Sequence, residues 1–406
     1  MLIPAPYRDE DQDYITVPAL KTICNKYNLS TEGNRIDIIL RLEEYSRKHV
    51  EYEEEIQKDL DATLKEGIKT CVLYKIAFPE ILDATFWENK LAKEFGVQSS
   101  NHLCNVAPKK EITLVNYNFT LNEQMITSIE FVFHIELLRS KGTYYTSGIQ
   151  VFYPIHVSVD FINGFVIGRG KTTSLLFKVD DGLQINPKRK TSTESIIKEA
   201  MNSVLYILNI KKEDSIVQKM AFKRTIFNIL DEYTKTPPEI KKKMREVRGE
   251  CNEFVDTIFK KLGIAETITI MPEAKYDMQI FVEKYISVTY RDKTVFTENR
   301  LAYPVKFLSK DNELTTIQES SSGMEDPLQS KRAFFDSKKV VYTDKKCDRL
   351  SLCHKSRKEL YYGERPFVAS IYLSGCDCAV KFNRFVKEGD IKDVLSRIIQ
   401  LYNVQK

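Results

Sequence analysis

ITSIEFVFHIEL, residues 126–137, is rich in Ile, Phe and Val and partly alternates apolar with polar side chains, the pattern of a β-strand with one buried face. Four neighbouring segments read the same way, at 111–117, 144–153, 155–161 and 173–179. The connections at 139–142, 163–164 and 180–182 are short and polar, which suits antiparallel hairpins. An antiparallel sheet is therefore expected here, preceded by a helix at 83–95.

Beyond this sheet the period changes. NPKRKTST at 186–193 is a polar, basic loop in which Thr191 and Glu194 offer a capping box. Ile197, Ala200, Met201, Val204 and Leu208 then recur at helical spacing, and further apolar stripes follow up to Leu262, interrupted by Pro237 and Pro238. After Gly263 strand-like segments return at 279–290, 303–308, 339–343, 358–362, 367–373 and 379–385, and an amphipathic helix is expected at 390–402. No internal repeat of fixed period is present. Strands, then helices, then strands predict an α+β protein. The expected division is a small helical module at 14–49, a charged helical connector at 50–69, a sheet unit at 70–185, a helical segment at 186–264 and an α+β unit at 265–406.

Composition narrows the function classes. The chain has 406 residues, is 42% hydrophobic and contains 15 Gly, which excludes collagen-like and wholly disordered classes. Its 61 basic and 57 acidic residues leave a net charge of +4, so any contact with nucleic acid must come from local patches. The first fourteen residues are acidic and lack the basic and apolar regions of a secretory signal. No stretch reaches the roughly 20 apolar residues of a membrane span. Eight cysteines without a secretory signal read as reduced thiols or metal ligands. The expectation is a soluble, intracellular protein with no membrane partner.

The N-terminal segment is the most specific. Thr16 can cap a helix that tolerates Pro18 in its first turn and carries Val17, Leu20 and Ile23 or Cys24 on one stripe. NLSTEGN at 28–34 breaks the helix, with Gly33 supplying backbone freedom. Ile36, Ile39, Leu40, Leu42 and Tyr45 then mark a second helix. The run ALKTICNKYNLSTEGNRIDIILRLEEY, residues 19–45, resembles the SAP motif, a DNA-binding helix–loop–helix. Leu20, Ile23, Leu29, Gly33, Asp37, Ile38, Arg41 and Leu42 fall in the family's order and spacing. The resemblance implies that the loop and the start of the second helix approach the phosphates and minor groove of duplex DNA. Free backbone N–H groups and the positive end of the helix favour an anion there. The contacts it implies are Lys21, Lys26, Thr31, Gly33, Asn34, Arg35 and Arg41.

Other candidates are less specific. GRGKTT at 168–173 lacks the glycine that opens a phosphate-binding loop, because Phe165 stands there, and it reads as a basic hairpin turn. Cys347, Cys353, His354, Cys376 and Cys378 are ligand types that zinc prefers, on two segments that either close a structural site or remain free thiols. The segment 338–365 carries nine basic against four acidic residues with tyrosines between them. Its Lys345, Lys346, Arg349, Lys355, Arg357 and Lys358 form a candidate nucleic-acid patch. The segment 235–248, with six basic and two acidic residues, is a weaker one. His134 and His156 sit in strand-like apolar settings and read as core residues. Asp160 and Lys171 offer a slight hint of a metal-dependent nuclease.

The leading expectation is an accessory or structural DNA-binding protein, without an evident catalytic constellation, that also meets a protein partner or itself. The alternatives are a nucleic-acid-processing enzyme tethered by the SAP-like module and a protein-interaction subunit of a larger complex.

Overall fold

The computed structural model describes residues 8, 14–77, 83–95, 102–103, 109–122, 125–140, 148–180, 182–264, 270–310, 316–321, 323, 326–355 and 366–405. It is α+β, with two compact units. One is built from Met1–Lys219 and Ser374–Ile399, the other from Met220–Ser356, Pro366–Leu373 and Gln400–Lys406.

The first unit opens with helices α1 (Val17–Lys26), α2 (Arg35–Lys48) and α3 (Glu53–Thr63). Strand β1 (Lys69–Lys75) and helix α4 (Ala84–Phe95) follow, then β2 (Thr113–Asn122), β3 (Met125–Ser140), β4 (Gly148–Asp160), β5 (Phe165–Lys171), β6 (Leu176–Lys178) and β7 (Lys190–Thr191). Helix α5 (Thr193–Leu208) comes next, capped by Ser192 rather than Thr191. Strand β12 (Asp377–Phe382) belongs to the same unit. The strand order is β7-β6-β3-β4-β5-β1-β12, with β2 also on β3, and the pairs are antiparallel. The two segments expected at 144–153 and 155–161 are one strand from Gly148 onward, because Pro154 sits within β4 opposite His134.

Period-two side chains give this sheet two different faces. Ile129, Phe131, Phe133 and Ile135 of β3 pack with Ile155 and Val157 of β4 against Ile196, Ile197, Ala200 and Met201 of α5. The opposite face is mixed. Val132 packs with Val115 under Leu20, Ile23, Ile38, Leu42, Ile56 and Leu60 of α1, α2 and α3. The N-terminal hairpin thus shares its core with the sheet, as so small a unit requires. Beside Val132 runs a register row of Asn116, Val132, His156, Arg169 and Cys71 across β2, β3, β4, β5 and β1.

The second unit holds α7 (Pro238–Glu246), α8 (Arg248–Leu262), α9 (Ile270–Thr289) and α10 (Arg332–Asp344). Its sheet is β9 (Thr316–Ser320), β8 (Ala302–Lys310), β10 (Arg349–His354) and β11 (Phe367–Ser374), in that order and antiparallel. Helix α6 (Ser215–Tyr233) lies mostly in this unit, and the C-terminal α11 (Glu388–Asn403) mostly in the first. Two expected strands are helical here: 279–290 lies in α9 and 339–343 in α10. Their aromatic and β-branched content suggests strand, but tertiary pairing between the two helices wins. Lys338 and Glu283 form a buried ion pair at 2.7 Å, and Lys339 bridges Glu273 and Asp277 at 2.9 and 2.8 Å. The expected strand at 358–362 lies outside the described residues.

Candidate nucleic-acid interface

The hairpin is built by capping and by a fixed loop. Thr16 Oγ1 accepts from the Ala19 N–H at 3.3 Å and starts α1. Asn28, with φ +57°, reverses the chain at the end of that helix. Gly33 has φ +97°, and a Cβ there would lie 2.7 Å from Asp37 Oδ2, so glycine is required on both counts. Asn34 and Asp37 form a reciprocal capping box: the Asn34 side chain accepts from the Asp37 N–H at 3.0 Å, and Asp37 accepts from the Asn34 N–H at 2.8 Å. Arg41 donates to the carbonyls of Ser30 and Glu32, the latter at 3.1 Å, and holds the loop against α2.

These jobs redistribute the expected contact residues. Lys21, Gly33 and Asn34 are exposed and Thr31 is half-buried. Lys26 is exposed but ion-paired to Asp59 at 2.8 Å and to Glu55 at 2.9 Å. Its hydrogen bonds to those two carboxylates hold its pKa well above the usual lysine value. Arg35 is buried at 4% exposure, where its Nε donates to the Arg8 carbonyl at 2.9 Å. Arg41 is committed to the loop. Among the described residues of the hairpin, Lys21 and Arg47 are the exposed cations without an ion pair. Tyr27, Tyr45, Tyr52 and His49 close the far end, with ring centroids 4.5 to 6.3 Å apart.

The remaining candidates take other places. GRGK of the suspected hairpin turn lies inside β5, and its glycines serve packing. A Cβ on Gly168 would sit 2.4 Å from Ile197 Cγ2, and one on Gly170 would sit 2.8 Å from the Tyr153 hydroxyl oxygen. Asp160 accepts from the Asn163 N–H and side-chain amide at 2.9 and 2.7 Å and shapes the β4–β5 turn. The Lys171 ammonium lies 4.8 Å from the Tyr14 ring centroid.

Among the described residues no group of three or more His, Cys, Asp or Glu side chains is arranged to hold a metal ion. The Cys347 thiol donates to the Arg349 carbonyl at 3.1 Å, and burial pushes its pKa up to about 12. Cys353 is buried with Tyr303, Val305 and Val368. The His354 ring stacks on Phe367 at 5.1 Å. Cys376 is half-buried, and burial raises the pKa of Cys378. In the basic patch Lys345 is exposed, Lys346 is half-buried and Arg349 covers the Tyr372 ring at 5.2 Å. Lys355 donates to the Thr297 carbonyl at 3.1 Å, and Arg357 and Lys358 lie outside the described residues. In the weaker basic segment, the Lys243 ammonium lies 5.0 Å from the Tyr290 ring.

Sequence reasoning missed the charged network beneath α3. Glu130 accepts from Lys65 at 2.5 Å and from Arg169 at 3.1 Å, and Arg169 reaches Glu388 at 3.3 Å. His156 is 2% exposed, and neither ring nitrogen has a hydrogen-bond partner; Glu130 is 4.0 Å away. Comparison with family models, curated proteins and solved structures finds no match for the chain.

The buried His156 gives a pH dependence. Burial, then the cations Arg169, Lys65 and Lys69, hold its pKa well below the usual imidazole range. The unfolded chain protonates it near pH 6.5, so the folded state binds fewer protons below that value. Stability therefore falls as the pH drops, by up to about 1.4 kcal/mol per pH unit. Urea denaturation between about pH 7 and pH 5 should show this loss. His156→Gln should flatten the slope; unchanged slopes would assign it to other groups.

Proposed function

We propose that the chain is an accessory, non-catalytic DNA-binding protein that meets duplex DNA with the loop side of its N-terminal hairpin. The observation that carries this reading is the prebuilt loop. Residues 30–34 are held by Arg41 and by the capping box, so their exposed backbone needs little ordering on contact. Lys21, Thr31, Gly33 and Asn34 supply the contacts, to phosphate and sugar rather than to base edges.

Charge sets the strength. Arg47 sits with Tyr45 and His49 at the far end, so on the loop side the unpaired Lys21 neutralises about one phosphate, and log affinity should fall with log salt at a slope of about −1. Binding by this surface alone is weak, and added contacts elsewhere or a partner must strengthen it. Fluorescence anisotropy of a labelled duplex across a salt series tests this with the full chain. Removing the hairpin would strip the cover from Val115 and Val132. Lys21→Glu should weaken binding and flatten the slope. Equal affinity for the wild type and this variant would move the contact off the hairpin.

A second reading, a protein-interaction subunit, draws on the other unit. Helix α8 exposes Phe254, Ile258 and Leu262 at four-residue spacing, and α9 exposes Phe281 and Tyr285 with rings 4.8 Å apart. Large apolar side chains exposed at helical spacing suit a protein contact surface. Absence of DNA binding by the full chain at low salt would leave this reading in first place.

A further inference from the structure

We propose that the pocket among α7, α8 and α9 binds a small organic phosphate, two negative charges carried on an apolar body. The site does not depend on the DNA-binding reading.

The pocket has a volume of about 270 Å³, just below the usual range of drug-sized ligand sites, so it suits a small molecule. Its charges have one sign. Lys241 and Arg245 of α7 and Arg248 of α8 line it, all three are exposed, and among the described residues no acidic side chain joins them in the lining. Nor does any of the three have an ion pair among the described residues. Lys241 and Arg245 stand four residues apart, a spacing at which like charges on a helix repel. An anion bound beside them removes that repulsion, and the guanidinium forks of the two arginines match phosphate oxygens two at a time.

The rest of the lining calls for a body behind the charge. Met244, Val247, Cys251 and Val282 supply an apolar wall. Gln279, half-buried on α9, has no hydrogen-bond partner among the described residues and offers an amide donor. The Thr236 hydroxyl is already committed, because it donates to Glu283 Oε1 at 2.6 Å. Glu283 leaves no unmatched negative charge beside the pocket, since its Oε2 pairs with Lys338 at 2.7 Å. A bare inorganic ion meets the cations but leaves the wall in water, and a neutral apolar molecule does the reverse. An organic phosphate satisfies both, and three cations favour its double charge over the single charge of a carboxylate.

Ligand-observed NMR and calorimetry on the full chain at low salt test the proposal with phenyl phosphate and AMP, against inorganic phosphate, benzoate and succinate. The expected result is binding of phenyl phosphate or AMP with Kd on the order of 1 mM or tighter, ahead of the other three. Phenyl phosphate ahead of AMP would identify a simple phosphate ester, and the reverse would identify a nucleotide. Arg245→Ala and Arg248→Ala, at exposed positions, should each weaken the better probe about tenfold, the loss of charge-assisted hydrogen bonds. Lys261→Ala, at an exposed position of α8 outside the lining, lowers the net charge equally and should leave the affinity unchanged. Failure of both organic phosphates to bind, any of the other three anions binding as tightly, or equal affinities in the three variants would overturn the proposal. So would loss of duplex DNA binding in the arginine variants without binding of either organic phosphate, which would assign the pocket to the DNA backbone.

Discussion

Gly168→Val is expected to destabilise the protein by about 3 kcal/mol, the upper end of ordinary overpacking. A Cβ at this position would lie 2.4 Å from Ile197 Cγ2 and 2.7 Å from Met201 Sδ, before the two further carbons of valine are added. Ile197 and Met201 are fully buried in the core between α5 and the sheet, so neither can swing into solvent. Relief requires α5 to lift from β5, which opens the contact with Ile155 and Val157 as well. Gly249→Ala is the natural control. Nothing lies within 4 Å of its Cβ position in α8, and alanine there should be neutral or stabilising by up to about 1 kcal/mol. Urea unfolding midpoints of the two variants distinguish them. A wild-type midpoint for Gly168→Val would mean that α5 is not seated on this strand.

Lys69→Met should stabilise the protein at neutral pH, by about 2–3 kcal/mol. Lys69 is 2% exposed, and its ammonium donates to the Leu64 carbonyl. Burial, then the neighbouring cations Arg169 and Lys171, push its pKa down to about 7. The unfolded chain holds its proton up to about pH 10.4, so between these values the folded state binds fewer protons and stability rises with pH. The penalty is largest at and below pH 7 and fades toward pH 10. Methionine keeps the unbranched apolar stem and removes the charge, at the cost of one hydrogen bond to Leu64, about 1 kcal/mol. Its advantage should therefore shrink as the pH rises from about 7 to 9.5. A variant less stable than wild type at pH 7, or a gain independent of pH, would contradict this assignment.

Both predictions concern features that the linear sequence showed only in part. The antiparallel strands were legible because β3 and β4 are dense in Ile, Val and Phe with polar turns between them. The hairpin was legible too: Thr16 caps α1 and Gly33 turns the loop as expected. What stayed hidden depends on register. Asn116, His156, Arg169 and Cys71 come from distant segments, and only strand pairing sets them in one row. The basic contact residues were visible as residue types, but their commitments to Asp59, Arg8 and the loop carbonyls were not, since each partner arrives by tertiary folding. Helices α9 and α10 differ from the strand expectation because local β propensity is a weak guide where one buried ion pair and several exposed ones join two helices.

The most direct measurement is hydrogen–deuterium exchange of the full chain with and without a duplex of about 20 base pairs at low salt. The account predicts slowed exchange in the backbone amides of residues 28–35 and the turn of α1 around Lys21, with the sheet unchanged. DNA-dependent protection confined to other segments, or none at saturating duplex, would contradict it.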